Sequence, residues 1–422
     1  MDTHEALSLR HSLQREAECP GAKRGLVLLT ACSGVFVGFG SAFVFTFSVF
    51  LKPLSLAFGW TRAQVSLGFT VAAITVALCS PLIGRLLDRY PPQRIVVPCV
   101  AIYGLGFASL ALLTRHFAQF LAVLFLIGIV ANGTTQLGYA RVVSAWFDQS
   151  RGRALAAVMA GSGAGSMIFP PVAQMLIASY GWRFAYAALG GTVLVLGVPF
   201  AVLFLREPPG HIWRRTGGSS LRANSGTAAF LFSRAFLLLV SALLLFSLAT
   251  NGLTAHLAPL LTDRGISPAH SAAVLSVLGF AVLASKLSTG YLLDRFFAGR
   301  VAAVLLLICT GGFLCVIFAR SIATAILGAL LVGAGMGSES DVTPYFLTRF
   351  FGLHSFSELY GYTWSVYACA AALGPLLMGG VFDRGGSYRA ALIVFSAFVF
   401  ISACLFALLP KYPRNTPVEA AS

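Results

Sequence analysis

The sequence is short of charged residues, and this shortage excludes most soluble proteins. Only 10% of its 422 residues are Asp, Glu, Lys or Arg, whereas 58% are hydrophobic. Acidic residues are the scarcer of the two signs, with 14 Asp and Glu against 29 Lys and Arg. Soluble domains lie far from this composition. The chain is therefore predicted to be a membrane protein.

Patterns typical of enzymes and of ATP-driven pumps are also missing. The sequence contains no HExxH metal-binding pattern, no clustered nucleophile and no nucleotide-binding loop. Its eight cysteines form no CxxC pair and lie mostly in apolar stretches, which is typical of small buried residues. We therefore predict that the protein is not an enzyme and uses no metal and no cofactor. The longest polar stretch is also too short for the soluble module of a receptor.

What the sequence does contain is a series of long apolar stretches, each able to cross a bilayer core of about 30 Å. They predict an all-α membrane protein with twelve transmembrane helices in two six-helix bundles. The predicted spans are 25–51, 61–87, 93–114, 117–145, 152–179, 182–205, 234–262, 267–293, 299–319, 322–350, 356–382 and 387–410. The predicted domains are an N-terminal tail (1–24), a first bundle (25–205), a linker (206–233), a second bundle (234–410) and a C-terminal tail (411–422).

A short motif occurs twice, separated by close to half of the chain. Glycine, three residues and then Asp-Arg are found at 84–89 and again at 290–295. Other landmarks repeat at nearly the same spacing, namely Pro53 with Pro259, Gly59 with Gly265, Gly133 with Gly337, and Gly181 with Gly386. A membrane chain that repeats once over its length has two similar halves with a site between them, which is the architecture of a transporter.

The distribution of basic residues predicts the orientation. Most of the 29 Lys and Arg residues fall in the tails and in the loops on the side of the termini. The positive-inside rule then places both termini in the cytoplasm of a multi-pass protein in the cell membrane. Basic inner loops facing anionic lipid also explain the net charge of +15 without nucleic acid as a partner.

The repeated loop resembles a known family signature. The stretch from Gly84 to Arg94 is similar to the loop 2–3 signature of the major facilitator superfamily, with Pro91-Pro92 in place of its usual continuation. A narrower resemblance comes from residues 146–154 (WFDQSRGRA), which lead into Ala160-Gly161-Ser162-Gly163. This run is similar to the helix 4–5 signature of monocarboxylate transporters and oxalate/formate antiporters.

The resemblance implies a transporter that works by alternating access, in which two bundles rock about a central cavity and are driven by a proton or by exchange. It also implies a role for Lys286, which aligns with the basic helix 8 residue that binds the substrate carboxylate in monocarboxylate transporters. The acidic partner found one turn earlier in that family is Val282 here. The expected partners are a small-molecule substrate, a proton or counter-substrate and the lipid bilayer, and the expected state is a monomer.

Ionisable residues inside the spans are the main candidates for the site, because each costs at least about 2.5–3.5 kcal/mol to insert. They are Arg141, His256, Lys286, Glu339 and Asp341. We predict that Lys286 faces the cavity and binds the substrate, with snorkelling to the membrane surface as the alternative. Arg141 either binds the anion as well, or pairs with helix 10, or acts at an inner gate. His256 is a candidate substrate donor or proton relay, with a structural role as the alternative.

Glu339 and Asp341 are the predicted proton-coupling residues, with a permanent salt bridge as the alternative. Two residues apart on a helix, they point in different directions and cannot form a dyad. Tyr345 lies one turn from Asp341 on the same face, which favours Asp341 as the residue facing the cavity. Tyr139 belongs to a polar stretch of helix 4 that lipid would not tolerate, so Tyr139 and Tyr345 complete the predicted substrate-binding set.

The repeated motif supplies the predicted gating residues. Its carboxylates can lie beside the positive end of a neighbouring helix, and its glycines allow close approach of two helices. These residues are Gly84, Asp88, Arg89, Gly290, Asp294 and Arg295.

The sequence as a whole favours a secondary transporter of small organic anions, mono- or dicarboxylates, that is proton-coupled or exchanging. The alternative within this class is a proton-driven efflux pump for apolar or cationic compounds, in which Glu339 or Asp341 binds the cation. A channel is disfavoured because a two-half repeat is better suited to rocking than to a fixed pore.

Overall fold

The computed structural model of the chain describes residues 21–147, 151–206, 232–351 and 356–410. Within these ranges the chain is helical and contains no strand. Eleven apolar segments in this described part of the chain are long enough to cross a membrane. One of them, Arg153–Phe204, has 52 residues and contains Gly181 with φ 83° and ψ 165°, which no helix accommodates. This segment is therefore two helices, and the predicted twelve-helix fold is confirmed.

We number the membrane helices α1 to α12 in chain order. The first half contains α1 (Gly21–Phe36 and Val44–Phe58), α2 (Arg62–Arg89), α3 (Pro92–Ser109), α4 (Phe117–Ala131 and Gln136–Trp146), α5 (151–180) and α6 (182–204). The second half contains α7 (Arg234–Asp263), α8 (Pro268–Arg295), α9 (Ala298–Ile317), α10 (Ile322–Phe351), α11 (Phe356–Gly385) and α12 (Arg389–Ala407). Helix α1 thus begins at Gly21, before the predicted start at residue 25. The predicted tails and linker lie almost wholly outside the described residues.

Each half has its own apolar core. One cluster of buried side chains is built almost entirely from α1 to α6, and the other almost entirely from α7 to α12. Small residues let the helices approach closely within a half. A Cβ atom added to Gly374 of α11 would meet the carbonyl oxygen of Leu248 in α7, and one added to Gly252 of α7 would lie 2.9 Å from the oxygen of Gly374.

Four tight turns define one end of the molecule. Among the described residues, positive φ angles occur at four glycines: Gly59 (72°), Gly181 (83°), Gly265 (85°) and Gly386 (64°). They lie in the connections α1–α2, α5–α6, α7–α8 and α11–α12, and they are two of the repeated pairs found in the sequence. Only glycine adopts such angles without strain. The two halves therefore share their turn geometry at this end.

Contacts between the halves concentrate towards the same end, which we call the sealed end. Helix α2 packs on α11 there, where the hydroxyl of Thr70 donates to the carbonyl of Ala372 at 2.6 Å. Nearer the middle, α5 packs on α8, and an added Cβ at Gly279 would lie 2.8 Å from Ser166 Oγ. Towards the opposite end, Leu78 and Leu82 of α2 and Leu287 of α8 are exposed.

Candidate transport site and gate

A cluster of charged and polar side chains joins the two halves at the sealed end. Arg62, at the start of α2, donates through Nη1 to Asp263 Oδ2 at 2.5 Å and through Nη2 to Oδ1 at 3.0 Å. Lys52 of α1 also reaches Asp263, with Nζ 3.0 Å from Oδ1. Asp263 ends α7, so one carboxylate of the second half contacts two cations of the first half.

Asp383 of α11 makes the second ionic connection. Its Oδ1 accepts from the backbone N–H of Arg62 at 3.0 Å, and its Oδ2 accepts from the N–H of Ala63 at 2.8 Å. These N–H groups belong to the first turn of α2 and have no partner within that helix. A carboxylate at this position is favoured by the helix dipole as well as by the hydrogen bonds. A residue of one half thus caps a helix of the other.

The guanidinium of Arg62 is enclosed by aromatic rings of the second half. Its central carbon lies 3.6 Å from the ring centroid of Phe382, and Nη1 donates to the hydroxyl of Tyr388 at 2.6 Å. Burial raises the pKa of the Tyr388 phenol although the adjacent Arg62 favours the phenolate, so Tyr388 keeps its proton. We refer to Lys52, Arg62, Asp263, Asp383, Tyr388 and His256 together as the sealing cluster.

His256 of α7 forms the inner part of the sealing cluster. Its side chain has no exposed surface. Nδ1 lies 3.0 Å from the hydroxyl of Tyr388, and Nε2 lies 2.9 Å from both the carbonyl oxygen of Pro375 and the hydroxyl of Ser66. Both ring nitrogens are therefore used within the protein in this conformation, and a substrate has no access to them.

Glu339 of α10 lies in a separate cavity within the second half. This cavity has about 280 Å³ of unfilled space, part of it open to solvent, and its walls come from α7, α10 and α11. The lining residues are Leu243, Glu339, Thr343, Tyr360, Thr363, Trp364 and Tyr367. The Tyr367 hydroxyl is placed to hydrogen-bond Glu339, Asn251 and Ser247. Thr343 is 5% exposed, and its hydroxyl has no protein partner among the described residues.

Lys286 lies on the other side of α10. It is half-buried in α8, and its backbone nitrogen is 3.0 Å from the position that a Cβ on Gly337 would occupy. Helices α8 and α10 are therefore in close contact at this level. The side chains of Arg141 and Asp341 are outside the described part of the structure, so their predicted roles stay predictions. Tyr345 is half-buried, with the Arg349 guanidinium 5.6 Å from its ring centroid.

Helices α1 and α4 are both interrupted, and the two interruptions meet. In α1 the break includes a π-helical turn, Phe39–Phe43, and in α4 it includes a 3-10 turn, Asn132–Thr134. The N–H of Phe39 donates to the hydroxyl of Thr134 at 3.1 Å. Discontinuous helices at the level of the bilayer centre are common at transporter binding sites. The sequence analysis did not identify this feature.

Tyr139 lies just beyond the break in α4 and is fully buried against α1. A Cβ added to Gly34 would overlap its hydroxyl, and that hydroxyl has no hydrogen-bond partner among the described residues. In this conformation Tyr139 is therefore enclosed within the first half. Contact with a substrate would require α1 and α4 to separate.

The repeated motif lies at the end opposite the sealed one. Arg89 and Arg295 are exposed, and the guanidinium of Arg295 lies 4.3 Å from the ring centroid of Tyr291. A Cβ on Gly84 would meet no atom within 4 Å, so the expected close approach of a second helix is absent here. Among the described residues, none of the second half reaches this face of α2 at Gly84. The surroundings of Asp88, Gly290 and Asp294 are outside the described part of the structure.

The fold and its gate define a class: a helical membrane transporter with two related halves that meet at one end. The model of the Major Facilitator Superfamily matches residues 31–368, and the chain belongs to that superfamily.

Proteins similar to this chain carry transporter names. "Monocarboxylate transporter 12" of Homo sapiens is 25% identical over 408 residues, covering 88% of this chain and 78% of the relative. "Monocarboxylate transporter 13" of Rattus norvegicus is 28% identical over 389 residues, covering 89% of this chain and 87% of the relative. "Uncharacterized MFS-type transporter YhjX" of Escherichia coli (strain K12) is 23% identical over 339 residues, covering 79% of this chain and 83% of the relative.

Solved structures share the fold at lower identity. A bacterial homologue of the human lysosomal transporter Spinster, in an inward-facing and unoccupied conformation, has a TM-score of 0.73 at 18% identity and covers 94% of this chain and 100% of that chain. A mutant of the nucleoside transporter NupG has a TM-score of 0.78 at 12% identity and covers 92% of this chain and 100% of that chain. At these identities the likeness shows the fold alone.

Proposed function

We propose that this protein is a secondary transporter of small organic anions, mono- or dicarboxylates, that works by alternating access. The names of its relatives and the single lysine deep in α8 support this substrate class. We further propose that both termini are cytoplasmic and that the protein resides in the cell membrane as a monomer. The sealed end then faces outward, and the conformation described above is open to the inside.

Lys286 is the proposed anion anchor. An ammonium group at this depth is stable only if it faces a polar cavity or an acidic partner. The backbone of Lys286 lies against Gly337 of α10, and membership of the superfamily supports the proposal that α8 and α10 border a central cavity. A carboxylate substrate would bind there by a charge-assisted hydrogen bond, which is about twice as strong as a neutral one.

Glu339 is the proposed proton site, and Asp341 remains a second candidate. The carboxyl group of Glu339 lies among aromatic side chains with the Tyr367 hydroxyl within hydrogen-bonding reach. In the proposed cycle this carboxyl group takes up a proton. Proton release would then follow when a conformational change admits water to the cavity. Exchange of one anion for another is the alternative mode of coupling.

The test is uptake of a radiolabelled monocarboxylate by proteoliposomes. We expect Lys286→Ala to reduce the uptake rate about ten- to a hundredfold, because a charge-assisted hydrogen bond contributes about 1.5–3 kcal/mol. Lys286→Arg should retain part of the activity, since it keeps the charge. Lys23→Ala, at an exposed lysine near the start of α1, is the matched control. Unchanged uptake by Lys286→Ala would refute the anchor assignment.

The cavity around Glu339 also favours a second function, efflux of cationic compounds. Trp364, Tyr360 and Tyr367 present aromatic rings beside a carboxylate, and such a setting attracts cations. The same proteoliposomes, loaded with a cationic dye, separate the two functions. Anion transport predicts carboxylate uptake without dye export, whereas a cation pump predicts dye export that Glu339→Gln abolishes and Lys286→Ala does not.

A further inference from the structure

The hydrogen bonds around His256 allow the protons between Arg62 and Pro375 to be assigned. The carbonyl of Pro375 can only accept, so we assign the ring hydrogen to Nε2, which donates to this carbonyl and also lies 2.9 Å from the hydroxyl of Ser66. Nδ1 is then an acceptor and receives the hydroxyl hydrogen of Tyr388. The oxygen of Tyr388 in turn accepts from Nη1 of Arg62. The chain of donors runs in one direction, from Arg62 through Tyr388 and His256 to Pro375.

This arrangement requires a neutral imidazole. A proton added to Nδ1 would turn it into a donor, and the hydroxyl hydrogen of Tyr388 would lose its acceptor. The Tyr388 oxygen would then face two cationic donors, imidazolium on one side and guanidinium on the other. Within a fully buried site no water can relieve this conflict.

The charges of the sealing cluster also balance only when His256 is neutral. Lys52 and Arg62 come from α1 and α2, Asp263 from α7 and Asp383 from α11, so two cations face two anions. Asp263 is already engaged by both cations, and Asp383 is engaged by two backbone N–H groups of α2. The hydrogen-bond partners of the imidazole in the described structure are Tyr388, Pro375 and Ser66, and neither carboxylate is among them. A proton on His256 therefore leaves one uncompensated positive charge next to Arg62.

We propose that His256 is a proton-binding site of the gate, and that its protonation releases the sealing cluster and opens this end of the transporter. The proton comes from the solvent at the sealed end, during brief separations of Arg62 from Asp263. Loss of the proton restores the acceptor for Tyr388 and allows the end to close again. The proposal concerns the gate and holds for any substrate.

The experiment measures the width of the sealed end as a function of pH in the absence of substrate. Spin labels are attached to noncanonical amino acids at Ala57 and Ser387, which are both exposed, so that the native cysteines stay in place. Pulsed electron–electron double resonance then measures the distance between the two spin labels in protein reconstituted into lipid nanodiscs. Between about pH 7.5 and about pH 5.5, where histidine takes up a proton, wild-type protein should gain a population at longer distance.

His256→Gln should abolish this difference between the two pH values, because the amide can donate to Pro375 and accept from Tyr388 but cannot take up the proton. His270→Gln is the matched control. His270 is exposed at the same end and bonds Ser267, and its loss should leave the pH response intact. A full acid response in His256→Gln, or no response in the wild type, overturns the proposal.

A second variant, Tyr388→Phe, tests the proposal even if His256→Gln does not fold. It removes the hydroxyl that links His256 to Arg62 and leaves the bond from Nε2 to Pro375. The distance distribution should then depend less on pH than in the wild type, because the conflict at the Tyr388 oxygen is removed and only the charge imbalance remains. An undiminished pH response in this variant also overturns the proposal.

Discussion

At the scale of single residues, Arg62 makes several connections between the halves. It is 9% exposed and contacts Asp263, Tyr388 and the ring of Phe382, all in the second half. The side chain does not contribute through charge alone, because a lysine in its place would lack both the planar fork and the stacking on Phe382. Contacts of Arg62 therefore contribute to closure of this end through hydrogen bonds, charge and stacking together.

We expect Arg62→Gln to lower the melting temperature of the purified protein, with a loss of about 1.5–3 kcal/mol for hydrogen bonds to a charged group. Lys52→Gln is the control. Its ammonium group also contacts Asp263 but is more exposed, so its removal should cost roughly 0–1 kcal/mol. Equal losses of stability in the two variants would show that the enclosure of Arg62 by Phe382 and Tyr388 does not stabilise the protein.

Sequence reasoning identified some residues of the sealing cluster and not others, for a physical reason. His256 was a candidate because it is ionisable within an apolar run. Arg62 drew no attention because it follows a turn, where a cation is ordinarily solvated. Its partners lie about 200 residues or more away along the chain. Without the packing of α2 against α7 and α11, nothing in the sequence brings these groups together.

At the scale of helices, the crossing of α7 and α11 depends on two glycines in contact. The backbone of Gly374 lies against Leu248 and Gly252, so a side chain at this position would force the helices apart. Gly361, on the same helix, has no atom within 4 Å of the position of an added Cβ. The two glycines therefore differ in their surroundings although both belong to α11.

Gly374→Ala should destabilise the protein by about 1–3 kcal/mol, the usual cost of overpacking. Gly361→Ala should be neutral or stabilising by up to about 1 kcal/mol, because alanine is the better helix former. Thermal unfolding in detergent, followed by a thiol-reactive dye or by circular dichroism, checks both. If both substitutions shift the melting temperature by the same amount, the close crossing of α7 and α11 does not explain the effect of Gly374→Ala.

The sequence predicted the helices well and their interruptions poorly. Repeated glycines marked the turns of both halves because a positive φ needs glycine wherever it occurs. The break in α1 is different, since a freed N–H at Phe39 is satisfied by the hydroxyl of Thr134 in another helix. Local propensity contains no information about such a partner. In the second half, α7 and α10 run without a comparable break in the described residues.

At the scale of the whole molecule, the repeat predicted two halves but not how the halves are arranged relative to each other. A transporter sequence encodes at least two states of similar free energy, and small differences decide which one is populated. In the state described above, the sealing cluster joins the halves at one end. Near the other end, no atom lies within 4 Å of a Cβ added to Gly84. Closure of the other end would bring the repeated motifs towards the opposite half.

Movement of the halves can be tested by a covalent lock at the sealed end. The hydroxyl of Ser48 in α1 accepts from the backbone N–H of Ala258 in α7 at 2.9 Å. We expect the double variant Ser48→Cys, Ala258→Cys to form a disulfide under oxidation and to lose transport, because the halves can no longer separate there. Reduction should restore activity.

The single variants Ser48→Cys and Ala258→Cys, treated with the same oxidant, are the controls for the native cysteines. Mass spectrometry of the digested protein measures the extent of the cross-link. Full transport by protein that is fully cross-linked would exclude a mechanism in which α1 and α7 move apart.

The four glycine turns have a practical consequence for anyone who studies the intact protein. Each reverses the chain within a few residues, so the sealed end offers little flexible backbone to a protease or to an antibody raised against linear peptides. Reagents applied from that compartment should instead recognise the folded surface formed by both halves together. A conformational antibody fragment selected against this surface would therefore bind one state of the transport cycle and could serve as its reporter.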